Sequence, residues 1–518
     1  MIPKGGAEAL ARRGRDGILL VLTAALFIGF VHGGTASAQA ASPDPAAAML
    51  DAARQAGARG AASEGLDDLR ALRSRYPDSP LIAASYALGV DLALSSGDLY
   101  LARFYMDRLL GIAPTGADTF GRAQAIASYY YQRKSYAEAL PYYRQAVFAA
   151  EGGAAAPDGG RAIAATDLAT VRLRAAELDA YHQGDELEAR RFFSAISRAD
   201  LAPGDQPLYR ELRVRLLWSQ IKASDLGLAD SNVSSLRVDG DDLWVGTWNG
   251  GAARYSVSAG RGDPFPSPAF VRSIEVSQGR VWIGTAEGLS WYGKATGRWG
   301  QDADFQSPNT RNVQVLRASP NALYAGTLGD GLYRLGDDGW QAVGDDELPG
   351  RFVTTLATEP SSGRLLIGTM NLGLILMDPT SGAMQALSEV DPDFDASNIT
   401  TILPDREGRV WVGTYGDGLY EWTPSTGQIQ HFTKASGEIG DDWVLGSCET
   451  DRAIYFGSFG AGVSAFQKKQ GTWGRLGLSE GLASLDVTAI AWRAPFVFFG
   501  TLGAGVSVYD EAADGAVP

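Results

Sequence analysis

The sequence predicts a chain of two domains and two classes, an α-helical solenoid over 41–217 followed by a seven-bladed β-propeller over 218–518. Three observations carry this. Residues 44–217 space their apolar side chains three and four apart, the period of a packed helix. From about residue 218 the pattern changes to short β-type runs broken by Gly, Asp and Asn. Within that second region a single motif, an apolar run ending in Gly-Thr or Gly-Ser and followed by another glycine, returns seven times. A supersecondary unit repeated at that spacing is what propeller blades require.

The first segment, 1–40, reads as a signal peptide. Lys4, Arg12, Arg13 and Arg15 precede the apolar run GILLVLTAALFIGFV (17–31), and TASAQA follows with small residues at Ala36, Ala38 and Ala40. That apolar run is short beside the roughly 20 residues a spanning helix needs. A periplasmic mature protein beginning near Gln39 or Ala41, with no stable membrane insertion after cleavage, is therefore expected. An inner-membrane anchor through the uncleaved segment is the alternative. Cys448 is the only cysteine, which excludes an intrachain disulfide and a cysteine-based metal cluster. Its apolar strand context suggests a buried structural thiol.

In the helical region, GDLYLARFYMDRLLGIAP (97–114), SYAEALPYYRQAVFAAE (135–151) and GDELEARRFFSAISRAD (184–200) resemble one another. Each sets a small residue (Ala102, Ala139, Ala189) four positions before a large one (Met106, Tyr143, Phe193). This resembles the second helix of tetratricopeptide (TPR) repeats, in which small and large residues let neighbouring helices interlock. About four helix pairs are expected, with the Gly/Ala-rich EGGAAAPDGG (151–160) as an insertion that lengthens one interval.

The propeller motif reads LWVGTWNGG, VWIGTAEGL, LYAGTLGDGL, LLIGTMNLGL, VWVGTYGDGL, IYFGSFGAGV and VFFGTLGAGV, with central glycines 38 to 45 residues apart. Thirteen to fifteen residues before each glycine stands an aliphatic residue: Val233, Val271, Val313, Val353, Ile399, Val444 and Val487. The glycines of RVWVGTYGDGLYEW (409–422) are not a phosphate loop, because a strand-like run follows them and not a helix. The seventh unit ends at GVSVYDEA without its last strand, whereas WSQIKASDLGL (218–228) echoes WGRLGLSEGL (473–482). A strand from the N-terminal side is therefore expected to complete the last blade and remove an open edge.

SNVSSLRVDGDDLWVGTWNGG (231–251) and SNITTILPDREGRVWVGTYGDGLYEW (397–422) resemble the repeat of the two-component-regulator propeller family. That resemblance implies a seven-bladed propeller in an exported sensor domain, several relatives of which sense glycans. It implies a binding role without signalling enzymology, since no kinase-like segment follows.

Charge and residue usage narrow the chemistry. Residues 218–518 hold 21 basic and 36 acidic residues, which argues against a nucleic-acid partner. The three histidines, His32, His182 and His431, fall in the leader, a solenoid helix and an outer strand, so neither a Ser-His-Asp site nor a multi-histidine metal site is expected, and no cofactor is implied. Acidic turns such as DGDD (239–242) are turn chemistry and not a calcium loop. The positions just before each first strand and just after each Gly-Thr corner fall on one rim of the ring. There Trp443, Phe352, Phe270, Trp248 and Tyr415, with the amides of Asn232 and Asn398, form the candidate ligand-binding set. Such a mix suits a glycan or an extended peptide, or a protein partner; packing between blades is the structural alternative for the same aromatics. The expected function is non-catalytic binding or scaffolding. The alternatives are a propeller lyase or glycoside hydrolase using acidic residues near the axis, and an outer-membrane assembly scaffold.

Overall fold

The computed structural model describes residues 44–152, 162–265, 268–305, 311–320, 322–344 and 351–514. The expected leader and most of the Gly/Ala-rich insertion lie outside the described residues.

The helical domain is a run of paired helices. Pro45–Ala58 packs on Ala62–Arg75, Ile82–Ser95 on Leu99–Leu110, Ala117–Gln132 on Tyr136–Glu151, and Ala165–Leu178 on Glu186–Ser194; Gln206–Leu217 follows. Asp98 starts one helix by accepting the Leu101 N–H at 3.0 Å and Asp185 another through Glu188 N–H at 3.2 Å, which satisfies backbone donors the helix itself leaves open. Ala102, Ala139 and Ala189 are fully buried, with Met106, Tyr143 and Phe193 packed one turn on, as the small-then-large pattern requires. One feature has no sequence signature: Asp179–Gln183 forms a π turn. The Asp179 carboxylate is buried there and accepts from Arg144 Nη2 at 2.5 Å.

The propeller consists of seven four-stranded antiparallel sheets. Inner strands Val233–Asp239, Val271–Ser277, Val313–Ser319, Val353–Thr358, Ile399–Pro404, Val444–Glu449 and Val487–Arg493 each pack against the next, and the last packs back on the first. The outermost strand of the seventh blade is Trp218–Ile221, paired with Gly505–Asp510 from Trp218 opposite Tyr509 to Ile221 opposite Val506. The ring is thus closed by the strand the echo at 218–228 pointed to.

The repeated motif now has a physical cause. A Cβ on Gly246 would lie 2.5 Å from Val271 Cγ1, one on Gly284 2.8 Å from Val313 Cγ1, and one on Gly500 2.5 Å from Val233 Cγ1. Each central glycine is the hole that receives the first aliphatic residue of the next blade, and the seventh hole receives the first blade. The following hydroxyl closes the corner. Thr247 donates to Gly251 O at 2.8 Å, Thr414 to Gly418 O at 2.8 Å, Ser458 to Gly462 O at 2.9 Å and Thr501 to Gly505 O at 2.8 Å. The receiving glycine at 418 has φ +78°, a conformation that costs other residues about 1 kcal/mol or more.

The two domains share a core. A continuous apolar cluster runs from Ala46 through the helices into the sixth and seventh blades, where Trp218 stacks 4.9 Å from Tyr509 and 5.8 Å from Phe499. Beside it the acidic residues at the end of the last strand and just after it are buried. Asp514 receives Arg213 Nη2 at 2.7 Å and Tyr509 Oη at 2.6 Å, and Arg190 reaches Asp510 at 3.2 Å. Because Asp510 pairs with Phe496 while Thr501 pairs with Gly505, these contacts sit at the end of the blade opposite the Gly-Thr corners.

Candidate functional site

One backbone contact builds the rim in every blade. The residue after each corner donates its N–H to the carbonyl of the residue before the first strand: Trp248 to Asn232 at 2.9 Å, Ala286 to Phe270 at 3.2 Å, Leu328 to Asn312 at 3.1 Å, Met370 to Phe352 at 3.0 Å, Tyr415 to Asn398 at 3.0 Å, Phe459 to Trp443 at 3.1 Å, and Leu502 to Asp486 at 3.0 Å. The two sets of positions chosen from the sequence are therefore neighbours around the mouth of the ring.

Their side chains are not equally assembled. Tyr415 and Trp443 stack with centroids 4.3 Å apart and planes at 22°, and Phe459 lies 5.6 Å beyond Trp443. These three residues, from the fifth and sixth blades, remain 52%, 36% and 42% exposed. Phe352, also exposed, bridges to Leu328 of the preceding blade. Phe270 and Trp248 lie on the second and first blades, away from the stack. Arg272 covers the Trp248 ring at 4.4 Å. Phe270 has φ +60°, which is strained for a bulky residue. Asn232 spends its amide N–H on Asp230 Oδ1 at 2.7 Å, and Asn398 reaches Ser397 Oγ at 3.5 Å.

Local chemistry aims the central aromatic. Asp441 Oδ1 accepts the Trp443 N–H at 3.0 Å, the Asx-turn that Asp230 makes with Asn232 in the first blade at the same distance. The carbonyl of Asp442 takes Gly416 N–H at 3.1 Å and Gly418 N–H at 2.9 Å, so the corner bearing Tyr415 is tied to the strand start bearing Trp443. The pattern Asp/Ser-x-residue before a first strand was the available signal for these supports, which sequence reasoning passed over. It also passed over Leu372, exposed beside Met370, and Arg272.

The histidines and the cysteine take no part in the Tyr415–Trp443–Phe459 stack, and His431 contacts the corner that bears Tyr415. His431 stacks on Tyr420 at 4.0 Å and lies 2.5 Å from Asp417 O on an outer strand. His182 stacks on Tyr136 within the solenoid. Burial, with Glu511 and Glu449 adding to it, pushes the Cys448 thiol up to about 12, which keeps it protonated at neutral pH. Among the described residues no group of three or more His, Cys, Asp or Glu side chains is placed to hold a metal ion, and no helix is long and apolar enough to cross a membrane.

Residues 393–416, the start of the fifth blade, match the family described as two component regulator propeller. No curated protein matches the chain. Among solved structures, the chain is similar to the extracellular domain of the hybrid two component system BT3049 of B. thetaiotaomicron, with 17% identity and a TM-score of 0.48 over 57% of this chain and 42% of that one. It is similar to the extracellular domain of the one component system BT4673 of the same organism, with 19% identity and a TM-score of 0.47 over 57% of this chain and 40% of that one. The chain thus spans about two fifths of the length of these structures. The sequence is that of a helical domain followed by a seven-bladed propeller, in which residues 393–416 match the two component regulator propeller family.

Proposed function

We propose that this is an exported, non-catalytic binding or scaffold protein that recognises a glycan or peptide at the propeller rim of the fifth and sixth blades. The solenoid is the second surface, available to a protein partner. The observation that carries the reading is the Tyr415–Trp443–Phe459 array, a contiguous aromatic face left open to water although its backbone is pinned by Asp441 and Asp442. Exposed apolar area of this kind marks surfaces that another molecule covers. Aromatic faces with hydrogen-bonding groups at their edge suit sugar rings and extended peptides. The rim carboxylates nearest the array favour binding over acid–base work. Asp441 accepts the Trp443 N–H, and Asp442 accepts the Lys434 N–H at 2.7 Å.

The test is Trp443→Ala, read by titrating intrinsic tryptophan fluorescence against panels of neutral oligosaccharides and of extended peptides. Binding weakens by about 1–3 kcal/mol while the melting temperature holds. A sharp fall in melting temperature with binding intact makes these aromatics inter-blade packing and ends the proposal. Export is tested separately by N-terminal sequencing of the mature protein, with a start near Gln39 or Ala41 expected and recovery of Met1 from a membrane fraction against it.

A further inference from the structure

The first three inner strands carry charge at one shared register position. Arg237 stands opposite Trp244, Glu275 opposite Trp282 and Arg317 opposite Tyr324. The same position in the other four blades holds Ala357, Leu403, Cys448 and Ala491. Arg237 Nη2 lies 2.6 Å from Glu275 Oε1, and that oxygen also accepts the Val276 N–H at 2.9 Å. The carboxylate is therefore engaged before the second cation is counted. Arg317 is attracted by Glu275 and repelled by Arg237, and its Nε is buried with no hydrogen-bond partner. Burial pushes its guanidinium below the ordinary value, the mark of a cation short of counter-charge.

A third cation stands nearer the rim. Every inner strand has a bulge after its first residue, and in the second blade the bulged residue is Arg272. A bulge re-aims the side chain it frees from the ladder. Arg272 lies over Trp248, and its Nε too is buried without a partner. In the fourth, fifth and seventh blades the bulged residues are Thr354, Thr400 and Thr488, each donating to the first residue of the next blade. The arginine departs from that bonding pattern. Two guanidinium groups sharing one carboxylate, with a third nearer the rim whose Nε is also unpaired, is a costly arrangement unless an anion completes it.

We infer that the inner wall of the first three blades is an anion site, and that the ligand carries a carboxylate, sulfate or phosphate group that seats on Arg317, with Arg272 a further cation nearer the rim. This rests on the binding reading above and adds the ligand's charge to it. Guanidinium groups take such oxyanions through paired N–H donors, which an ammonium does not reproduce.

Isothermal titration of the full chain with inorganic sulfate, inorganic phosphate, glucuronate and glucose, at ionic strength held constant with sodium chloride, tests it. At least one anion is expected to bind saturably, more weakly as ionic strength rises, with glucose showing no comparable affinity. Arg317→Gln lowers that affinity by at least about tenfold, and Arg317→Lys restores it only partially. Arg317→Met is expected to melt no lower than the wild type, whereas a guanidinium that merely holds the fold would leave a less stable protein. Absence of saturable anion binding, or equal binding by Arg317→Gln, overturns the inference. Neutral oligosaccharides bound through Trp443 and indifferent to Arg317→Gln leave the rim reading standing and remove this one. Anion binding lost in Arg317→Gln and unchanged in Trp443→Ala keeps the anion site without the rim.

Discussion

The propeller carries two aromatic stacks of similar make-up with opposite fates. Trp218, Tyr509 and Phe499 lie under the helical domain, 9%, 0% and 0% exposed. Tyr415, Trp443 and Phe459 stack as closely on the open rim and stay 52%, 36% and 42% exposed. Residue type does not separate them. What does is the second domain, which lays Gln206–Leu217 and the Arg213–Asp514 pair over the first stack and, among the described residues, has no counterpart over the other. An aromatic cluster is core where a second surface closes on it and a candidate binding face where the backbone is held rigid with nothing on top.

That comparison breaks most clearly at its buried side. Trp218→Ala removes a side chain stacked on two others and the strand-end contact between the domains, and about 3–5 kcal/mol of stability is expected to go with it, read by guanidinium unfolding. Arg213→Ala leaves the buried Asp514 carboxylate without its cation. A loss near 3–5 kcal/mol is expected, and a double-mutant cycle with Asp514→Ala shows the coupling as a much smaller second loss.

The ring's own packing supplies a middle case. A Cβ at Gly413 would meet Thr401 Cγ2 at 2.6 Å and Val444 Cγ1 at 2.8 Å, so Gly413→Ala is expected to cost about 1–3 kcal/mol through overpacking. A neutral result in thermal unfolding would mean that the blades separate more easily than their interlock implies.

Glu511 gives a smaller, pH-dependent effect. Burial raises its pKa above the ordinary carboxylate value, against the opposing hydrogen bonds from Thr450 and Tyr455 and the Arg452 charge. The folded state then holds the proton more tightly than the unfolded one. Stability from this group is greatest at acid pH and declines as pH rises from the usual carboxylate range through the raised value. Glu511→Gln keeps an oxygen for Thr450 and Tyr455 and is expected to flatten that slope, matching the wild type in acid and exceeding it at neutral pH in urea unfolding. Smallest of all, Trp443→Ala is expected to change stability by no more than about 0.5 kcal/mol, the mirror of Trp218→Ala.

Much of the architecture was legible because its causes are local or strictly repeated. A glycine at 246 and a valine at 271 belong to one contact, so both had to recur in each blade, and seven copies made the pattern visible. The closing strand could be read from an echo because it does the same work as the outer strands it resembles. The rim positions could be placed because the strand start and the corner hold fixed offsets within the repeat. The π turn at Asp179–Gln183 could not be read, since it answers to Arg144 from a helix 35 residues earlier. Nor could the burial of Glu511 and Asp514, acids in what reads as a polar tail.

By itself the sequence determined the two periods, the number of blades, the glycine corners and the residues that reach the rim. These follow from hydrophobic spacing, from backbone conformations only glycine adopts cheaply, and from repetition. Only the tertiary structure decided which aromatics stack, which remain open, and which charges share a carboxylate across three blades. Those outcomes depend on distances between residues about 30 to 300 positions apart in the chain, such as Tyr415 to Trp443, Arg237 to Glu275 and Arg213 to Asp514. Such contacts form only once the ring has closed and the solenoid has docked, because a side chain's partner is set by where the folded backbone brings it and not by its neighbours in sequence.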